Sequence, residues 1–509
     1  MPRFRHPLLL RFALFLALAL VFQIETLVVR PRADSAAWLF MGGRQSAGQM
    51  PGRDLWDNKL PLIYLIGRAA MAAGRPQVCL WLVEAFGTAI AALAVAQITR
   101  RVAAMSGGAT DRLPLSADSV GVVAGALLCI LCGAPSYHAG GYMAEIYALP
   151  LSAVAVWLLT DSNRRRPAWA GAGVAWTLAV SFRPPLVAAA VLTTVAALVA
   201  KDNVRQIRAL AGSLAGVAVG LIIVFAHPWS AGYLPDCMAA AVYWPLGFGG
   251  PHRPGPLTLS AGERLADFGQ DVAKLGWLHA AFVWGVIASR GRVEKRRWRL
   301  IVVWYAAALA SAAVGWASYA HYQYVAFAPL VIGCALWTRS AAAKASRVMA
   351  AALLAVTAVV VVTQNAMSLA RYAGEPPNDA DRRAVIEFVQ DHARPDQSVW
   401  IWAWGRDADL FYRFNRAPGV RHFMAHSYFN MDLALFDEMV ADFEARPPDW
   451  IVEDRRREKP SLTGPAPAEW LEAAPSLAAL QSLVRRRYTH VESFGDFSVL
   501  RYVDSPDRD

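Results

Sequence analysis

The chain has 509 residues, of which 56% are hydrophobic and only 17% are charged, and its mean hydropathy is +0.31. Soluble globular chains carry about 25% charged residues, so this composition excludes an ordinary soluble enzyme and indicates a membrane protein with several spans. The net charge of +11 does not indicate a nucleic-acid partner, because the basic residues come in short clusters between apolar runs, as in cytoplasmic loops.

The apolar runs predict eleven membrane-spanning helices. The first, Leu8 to Val29, is too long for a signal peptide and follows Arg3 and Arg5, which indicates an uncleaved anchor with a cytoplasmic N-terminus. The other ten runs cover 77–98, 118–136, 146–160, 167–181, 185–200, 209–226, 277–289, 300–316, 323–337 and 348–366. Eleven crossings put the C-terminus outside and all five basic loops inside, as the positive-inside rule requires. We therefore expect a multi-pass protein of the inner (plasma) membrane.

Residues 371–509 differ from the rest, because they contain no run long enough to span a membrane. Their patterns predict strands at 398–404, 450–453 and 497–503 and helices at 407–414, 436–446 and 477–486. We therefore predict two domains, a transmembrane domain over 1–370 and an extracytoplasmic α/β domain over 371–509.

The first outer loop, 30–76, combines acidic, basic and aromatic residues. Asp34 follows the first span at headgroup level, where it is either a general base or a plain interfacial aspartate. Apolar 36–41 and amphipathic 55–64 predict two short helices in the membrane interface. Lys59, just before Pro61 at an expected helix start, can bind a lipid phosphate; the alternatives are snorkelling and a pair with Asp57.

Three segments resemble the C-type membrane glycosyltransferases, in the branch that includes the protein mannosyltransferases and the lipid A aminoarabinose transferases. After Asp34, the first outer loop reads Gly52-Arg53-Asp54-Leu55-Trp56-Asp57-Asn58-Lys59-Leu60-Pro61. A late outer loop reads Tyr319-Ala320-His321-Tyr322-Gln323-Tyr324, and the segment 396–416 is similar to part of the outer domain of that branch. The departures are Leu60 for the usual proline, Gly52 for a tyrosine, and Ser35 where many relatives carry a second acid.

This resemblance implies a polytopic α-helical fold and the transfer of a sugar, with inversion, from a polyprenyl-phosphate donor to an acceptor hydroxyl on the outer face. The acceptor is a glycan, a lipid or a protein. Asp34 would be the general base, and the donor phosphate would be bound by Lys59, with Arg53 or Arg183 next. The residues expected to contact sugar or acceptor are Asp54, Asp57, Glu145, His321 and Tyr322.

Arg183 interrupts an apolar stretch on the outer side, and a charge there is expensive enough to indicate a functional role. An ion pair with Glu145, at the start of a span, would explain both residues equally well. If the site assignment is right, Asp34, Lys59 and Arg183 should converge on one cavity open to the outer leaflet.

We expect no metal and no cofactor, because no histidines and acids cluster at ligand spacing. The Asp-x-Asp pattern of nucleotide-sugar enzymes occurs at 407–409 and again at 379–381, which shows how easily it arises in this composition. Two alternative functions remain open: a transporter or flippase of lipid-linked glycans, and a glycan polymerase or ligase of similar topology.

Overall fold

The computed structural model describes the chain in sixteen stretches. These are 7–29, 31, 33–104, 115–138, 140–160, 166–199, 203–246, 260–290, 293–314, 319–339, 343–373, 377–402, 409–423, 433–455, 460–466 and 468–503.

Every one of the eleven apolar runs coincides with helix. The corresponding helices are Pro7–Phe22 continued by Ile24–Val28, Pro76–Ala104, Ala117–Cys132, Ala144–Leu159, Arg166–Phe182, Val187–Leu198, Asn203–Ser230, Gly276–Ser289, Lys295–Ala313, Phe327–Arg339 and Ala343–Ala373. The protein is therefore mostly helical, as its composition predicts.

Within the described ranges, three helices are long and apolar enough by themselves to cross a membrane, at 76–104, 204–230 and 345–371. A fourth candidate is the pair Ala261–Lys274 and Gly276–Ser289, which is bent by 76° at its junction. The shorter apolar helices include Pro7–Phe22, Ala117–Cys132 and Ala144–Leu159. The chain is a membrane protein, while the number of eleven crossings stays a prediction.

The described residues form two compact units. The first comprises 1–29, 77–226 and 260–369 and holds most of the apolar helices. The second comprises 30–76, 227–259 and 370–509, so it joins the first outer loop to the C-terminal region. The division of the linear sequence at residue 370 into two domains stays a prediction.

Glycines allow very close contacts between helices in the first unit. A Cβ atom at Gly285 would lie 2.0 Å from the carbonyl oxygen of Gly333, so the helices Gly276–Ser289 and Phe327–Arg339 touch backbone to backbone. Small residues commonly permit such an approach between membrane helices, where van der Waals packing supplies much of the attraction.

The second unit contains a four-stranded sheet with strand order β1-β2-β4-β3. The strands are β1 (Val399–Trp402), β2 (Trp450–Asp454), β3 (Tyr488–Phe494) and β4 (Phe497–Tyr502). β1 and β2 are parallel, with Val399 opposite Trp450, and the other two pairings are antiparallel. All residues of β1 and β2 are buried, which explains why both strands are continuous apolar runs in sequence.

The described part of the second unit contains eight α-helices, three of which match the helices predicted at 407–414, 436–446 and 477–486. They are Ala33–Ser46, Leu62–Ala72, Leu234–Met238, Pro377–His392, Asp409–Phe414, Leu433–Ala445, Ala468–Ala473 and Ser476–Arg487. The predicted strand end at 403–404 and helix start at 407–408 lie outside the described residues. β3 was not predicted, because it is largely exposed and carries no alternating apolar pattern.

One prediction for the first outer loop is wrong. Residues 55–60 are not helical, and the second helix of the loop begins at Leu62, directly after Pro61. The backbone N–H groups of this segment bond elsewhere: Leu55 donates to Met50 and Trp56 to Arg421. Proline also disfavours helical geometry in the residue that precedes it, and this keeps Leu60 out of the helix. The start of the helix at Pro61 was predicted correctly.

Candidate active site

Five residues of the second unit, Asp34, Trp38, Asp57, Lys59 and Tyr64, come together as a group that we call the loop cluster. Asp34 and Trp38 are four residues apart on the helix Ala33–Ser46 and so share one face of it. Tyr64 lies in the first turn of Leu62–Ala72, and Asp57 and Lys59 lie in the irregular segment between these helices. Three of these residues, Asp34, Asp57 and Lys59, stand in the part of the sequence that resembles the glycosyltransferase loop.

Asp57 ties these segments together through its carboxylate. It accepts hydrogen bonds from the Trp38 indole N–H at 2.8 Å, the Tyr64 hydroxyl at 3.0 Å and the Asn58 backbone N–H at 2.7 Å. Burial raises the pKa of this carboxyl group; the Lys59 charge works against that rise and the Asp34 charge adds to it. Asp57 is therefore fixed by three donors, and the charges of Lys59 and Asp34 both act on it.

Lys59 directs its ammonium over an aromatic ring. Its Nζ atom lies 5.8 Å from the centroid of the Trp38 ring, within the range of a cation–π contact. It makes no ion pair within 4 Å to any carboxylate in the described part of the chain. The ammonium is therefore oriented by Trp38 and remains available to an anion.

Asp34 lies in the first turn of its helix and is partly exposed. The positive end of the helix dipole favours a carboxylate at this position. Among the residues that the structure describes, none donates a hydrogen bond to Asp34, whereas Asp57 receives three. The two carboxylates therefore differ in how many donors hold them in place.

A narrow crevice, too tight to enclose a water molecule, borders the cluster. Its lining includes Asp57, Lys59 and Tyr64, together with Tyr233 and Cys237 from the segment 227–259 of the same unit. Tyr233 is fully buried, and its hydroxyl group is hydrogen-bonded to His227 at 2.9 Å. Sequence reasoning missed Tyr233 and Cys237, since no motif marks either residue.

Arg53 and Asp54 pair with each other instead of joining the cluster. Their closest contact is 2.9 Å, and Asp54 also accepts the Met50 backbone N–H at 2.8 Å. Burial alone would raise the pKa of Asp54, but Arg53 and the Met50 amide hold it below its usual value. Arg53 stays 42% exposed, so its charge still reaches solvent.

In the first unit, the structure brings Arg183, Glu145 and Tyr322 together. Arg183 is buried, forms a 3.3 Å ion pair with Glu145 and lies 3.7 Å from the centroid of the Tyr322 ring. It also donates to the backbone carbonyl of Val314 at 2.9 Å. The ion pair considered from sequence is thus present, and the convergence of Arg183 with Asp34 and Lys59 stays a prediction.

His321 belongs to an aromatic stack beside that group. Its ring lies 5.3 Å from Tyr319 in a parallel arrangement and 4.8 Å from Tyr322 edge to face. A 3-10 helix, Ala320–Ala326, carries both His321 and Tyr322. The contacts show a packed aromatic surface next to Arg183.

A buried network of charges in the first unit escaped sequence reasoning. Glu25, Glu84 and His138 are all buried, and His138 Nε2 lies 3.3 Å from Glu84 and His138 Nδ1 3.7 Å from Glu25. Burial alone would lower the pKa of His138, but the two carboxylates raise it to about 9. The His138 ring therefore links the helix Ile24–Val28 to the helix Pro76–Ala104. The sequence does contain one sign of this network, since Glu25 and Glu84 both stand inside apolar runs.

Glu84 also fixes the loop that leads to Glu145. Its carboxylate accepts the backbone N–H of Tyr142 and the Tyr147 hydroxyl, the latter at 3.1 Å. Tyr142 has φ of +56°, a left-handed conformation that non-glycine residues rarely adopt. The bond to Glu84 compensates for that conformation three residues before Glu145.

No group of three or more His, Cys, Asp or Glu residues at metal-binding geometry occurs within the described stretches. The five cysteines are free, and Cys129, Cys132, Cys237 and Cys334 are buried.

The structure is similar to crystal structures of ArnT from Cupriavidus metallidurans. The apo form gives a TM-score of 0.58 at 14% identity, covering 96% of this chain and 97% of ArnT. The form bound to undecaprenyl phosphate gives 0.55 at 13% identity, covering 97% of this chain and 98% of ArnT. No protein-family model and no curated protein matches the sequence.

A cryo-EM structure of the arabinofuranosyltransferase AftD from Mycobacteria is also similar, with a TM-score of 0.53 at 15% identity. The match covers 97% of this chain but only 40% of AftD. ArnT and AftD are both C-type membrane glycosyltransferases. The chain therefore has the fold of that class, which confirms the fold expected from the loop resemblance.

Proposed function

We propose that this protein is a membrane glycosyltransferase that moves a sugar from a polyprenyl-phosphate donor to an acceptor hydroxyl on the outer face of the inner membrane. The observation that carries the proposal is the loop cluster, which sets an available ammonium, Lys59, beside a hydrogen-bonded carboxylate, Asp57, and a free one, Asp34. The similarity to ArnT, one structure of which is bound to undecaprenyl phosphate, supports a lipid-phosphate donor.

In this reaction the acceptor oxygen attacks the anomeric carbon, and its proton passes to Asp34. The bond between that carbon and the phosphate oxygen breaks, so the polyprenyl phosphate leaves with the bonding electron pair and the configuration inverts. Lys59 stabilises the charge that grows on the leaving phosphate. Asp57 keeps Lys59 and Trp38 in register, because it bonds Trp38 directly.

The remaining site residues take supporting roles in the proposal. Arg53 and Arg183 are second to Lys59 as phosphate ligands, because each is already paired with a carboxylate, Asp54 and Glu145. Asp54, Glu145, His321 and Tyr322 offer carboxylate, imidazole and hydroxyl groups to the sugar or to the acceptor.

The test is a transfer assay in proteoliposomes supplied with polyprenyl-phosphate pentoses and hexoses and with candidate glycan, lipid and protein acceptors. Wild-type protein should form a new glycosidic bond, and Asp34→Asn and Lys59→Ala should each lose most of that activity. Lys274→Ala is the matched control, since Lys274 is 55% exposed and pairs with Asp271 in the first unit. Full activity in both site variants would overturn the assignment. Movement of donor across the vesicle without a new bond would instead establish a transporter.

A further inference from the structure

The three-residue segment Arg421, His422 and Phe423, which we call the brace segment, contacts two of the three segments that carry the loop cluster. It belongs to the same compact unit as the first outer loop, although about 360 residues separate them in sequence. Each of its residues contacts a different part of the loop.

Arg421 holds the turn that precedes Asp57. Its guanidinium donates to the Gly52 carbonyl from Nη2 at 2.6 Å and from Nε at 3.2 Å. Its own carbonyl accepts the backbone N–H of Trp56 at 2.9 Å. Arg421 is therefore joined to the loop by two charge-assisted hydrogen bonds at Gly52 and by one backbone hydrogen bond at Trp56. Trp56 directly precedes Asp57.

The turn itself accepts little variation. Gly52 has φ of +83°, and a Cβ atom there would approach the Asp236 carbonyl oxygen to 3.0 Å. The Trp56 ring is 7% exposed and packs against Trp244 at 5.2 Å and His422 at 5.7 Å. A carbonyl group fixed in such a turn is a firm attachment point for Arg421.

The other two brace residues extend the contact. His422 is buried and lies within 3.2 Å of Asp442 and 3.3 Å of Glu438, so it is anchored to the helix Leu433–Ala445. Phe423 is fully buried and packs against Phe40 at 5.2 Å, on the helix that also carries Asp34 and Trp38. The brace segment thus reaches both the turn before Asp57 and the helix of Asp34.

We propose that the brace segment positions the loop cluster, with Arg421 as a positioning residue that holds Asp57 and Lys59 in place relative to Asp34. This inference rests on the proposed function, because it assigns the C-terminal region a part in the same reaction. Arg421 contacts no reacting atom in this proposal and acts through the Gly52 carbonyl.

The test combines hydrogen exchange with kinetics on the full-length protein in detergent or nanodiscs. In Arg421→Ala, backbone amides in the peptide 52–60 should exchange about tenfold faster or more. The loss of a charge-assisted hydrogen bond lowers the free energy needed to open this segment locally. Donor kcat/KM should fall by about tenfold, with the melting temperature nearly unchanged. Arg421→Lys should recover part of both effects, and added guanidinium should partly rescue Arg421→Ala.

Arg394→Ala is the matched control, because Arg394 is 71% exposed and pairs only locally with Asp396 in the same unit. It should change neither the exchange of 52–60 nor the kinetics. Unchanged exchange in Arg421→Ala overturns the brace, and so does faster exchange with unaltered kcat/KM. If the wild-type protein forms no glycosidic bond with any of the donors and acceptors, the proposed function fails, while the exchange data still decide whether Arg421 holds the loop.

Discussion

At the residue scale, the two carboxylates of the loop cluster, Asp34 and Asp57, differ in the hydrogen bonds that they accept. Asp57 receives three hydrogen bonds, one of them at 2.7 Å, whereas Asp34 receives none from the residues described. A carboxylate whose oxygens already accept several hydrogen bonds is fixed in position and has little lone-pair capacity left for an incoming hydroxyl group, even though burial raises the pKa of Asp57. This asymmetry favours Asp34 as the base and Asp57 as the group that positions Trp38 and Tyr64.

Trp38→Phe tests the positioning part of that division. The change keeps an aromatic ring near Lys59 but removes the indole N–H that donates to Asp57 at 2.8 Å. Losing a hydrogen bond to a charged group costs about 1.5–3 kcal/mol, so we expect sugar transfer to fall by about tenfold or more. Trp277→Phe, at a partly exposed tryptophan of the first unit, should leave transfer unchanged. Equal activity in the two variants would show that the indole bond has no role.

The contacts of His138 predict how the thermal stability of the protein depends on pH. Its pKa is raised from an ordinary 6.5 to about 9, so the protonated ring stabilises the fold fully below about pH 6.5 and loses that effect as the pH rises through 9. The apparent melting temperature of wild type should therefore drop more steeply between pH 6.5 and 9.5 than that of His138→Gln. Parallel curves for the two proteins would mean that the Glu25–His138–Glu84 contacts do not hold a proton.

At the element scale, the helices were predictable and the segment between them was not. Long apolar runs suffice to predict a helix in a membrane, because every backbone polar group must be satisfied within the segment. The segment 55–60 instead bonds to Met50 and to Arg421, a partner about 365 residues away that no local pattern reveals. Its apolar spacing was therefore misread as an amphipathic helix.

Gly285→Ala tests the close contact between the helices Gly276–Ser289 and Phe327–Arg339. The added Cβ would lie 2.0 Å from the Gly333 carbonyl oxygen, so the helices must separate, and overpacking of this kind costs about 1–3 kcal/mol. The melting temperature in detergent should fall by several degrees. Gly269→Ala is the control, since a Cβ there meets nothing within 4 Å and alanine favours helix. Similar melting temperatures for both variants would contradict the backbone contact.

At the scale of the whole molecule, the second compact unit is built from three separate segments of the chain. Residues 30–76, 227–259 and 370–509 pack together, although apolar helices separate them in sequence. If all three segments are outside, as the basic loops predict, this unit gathers the outer parts of the chain. The proposed chemistry needs that arrangement, because the donor phosphate lies at the outer headgroup level.

Cysteine accessibility tests the sidedness. In a cysteine-free background, Asp396→Cys in the second unit should react with a membrane-impermeant maleimide added to intact spheroplasts, because this side chain is 72% exposed and is predicted to be outside. Lys295→Cys, in a predicted inner loop, should react only after permeabilisation. The reverse pattern would invert the topology and exclude an outer-face site.

Sequence reasoning reached the fold class and most of the loop cluster, because the resemblance is concentrated in residues 52–61. It placed Asp34, Asp57 and Lys59 together but missed Trp38 and Tyr64, whose contribution depends on bonds to Asp57. Glu84 and His138 were also missed, since their pairing joins positions 54 residues apart. Side-chain contacts between distant segments are set by packing, and a single sequence does not record them.

The most direct measurement compares binding and turnover in two variants of the loop cluster, using undecaprenyl phosphate as the ligand for binding. Lys59→Ala should raise its Kd by about tenfold or more, because the phosphate loses its principal cation. Asp34→Asn should bind undecaprenyl phosphate within about threefold of wild type yet transfer sugar at least about 100-fold more slowly, as expected when a general base is removed. Wild-type Kd in Lys59→Ala together with wild-type turnover in Asp34→Asn would contradict the account.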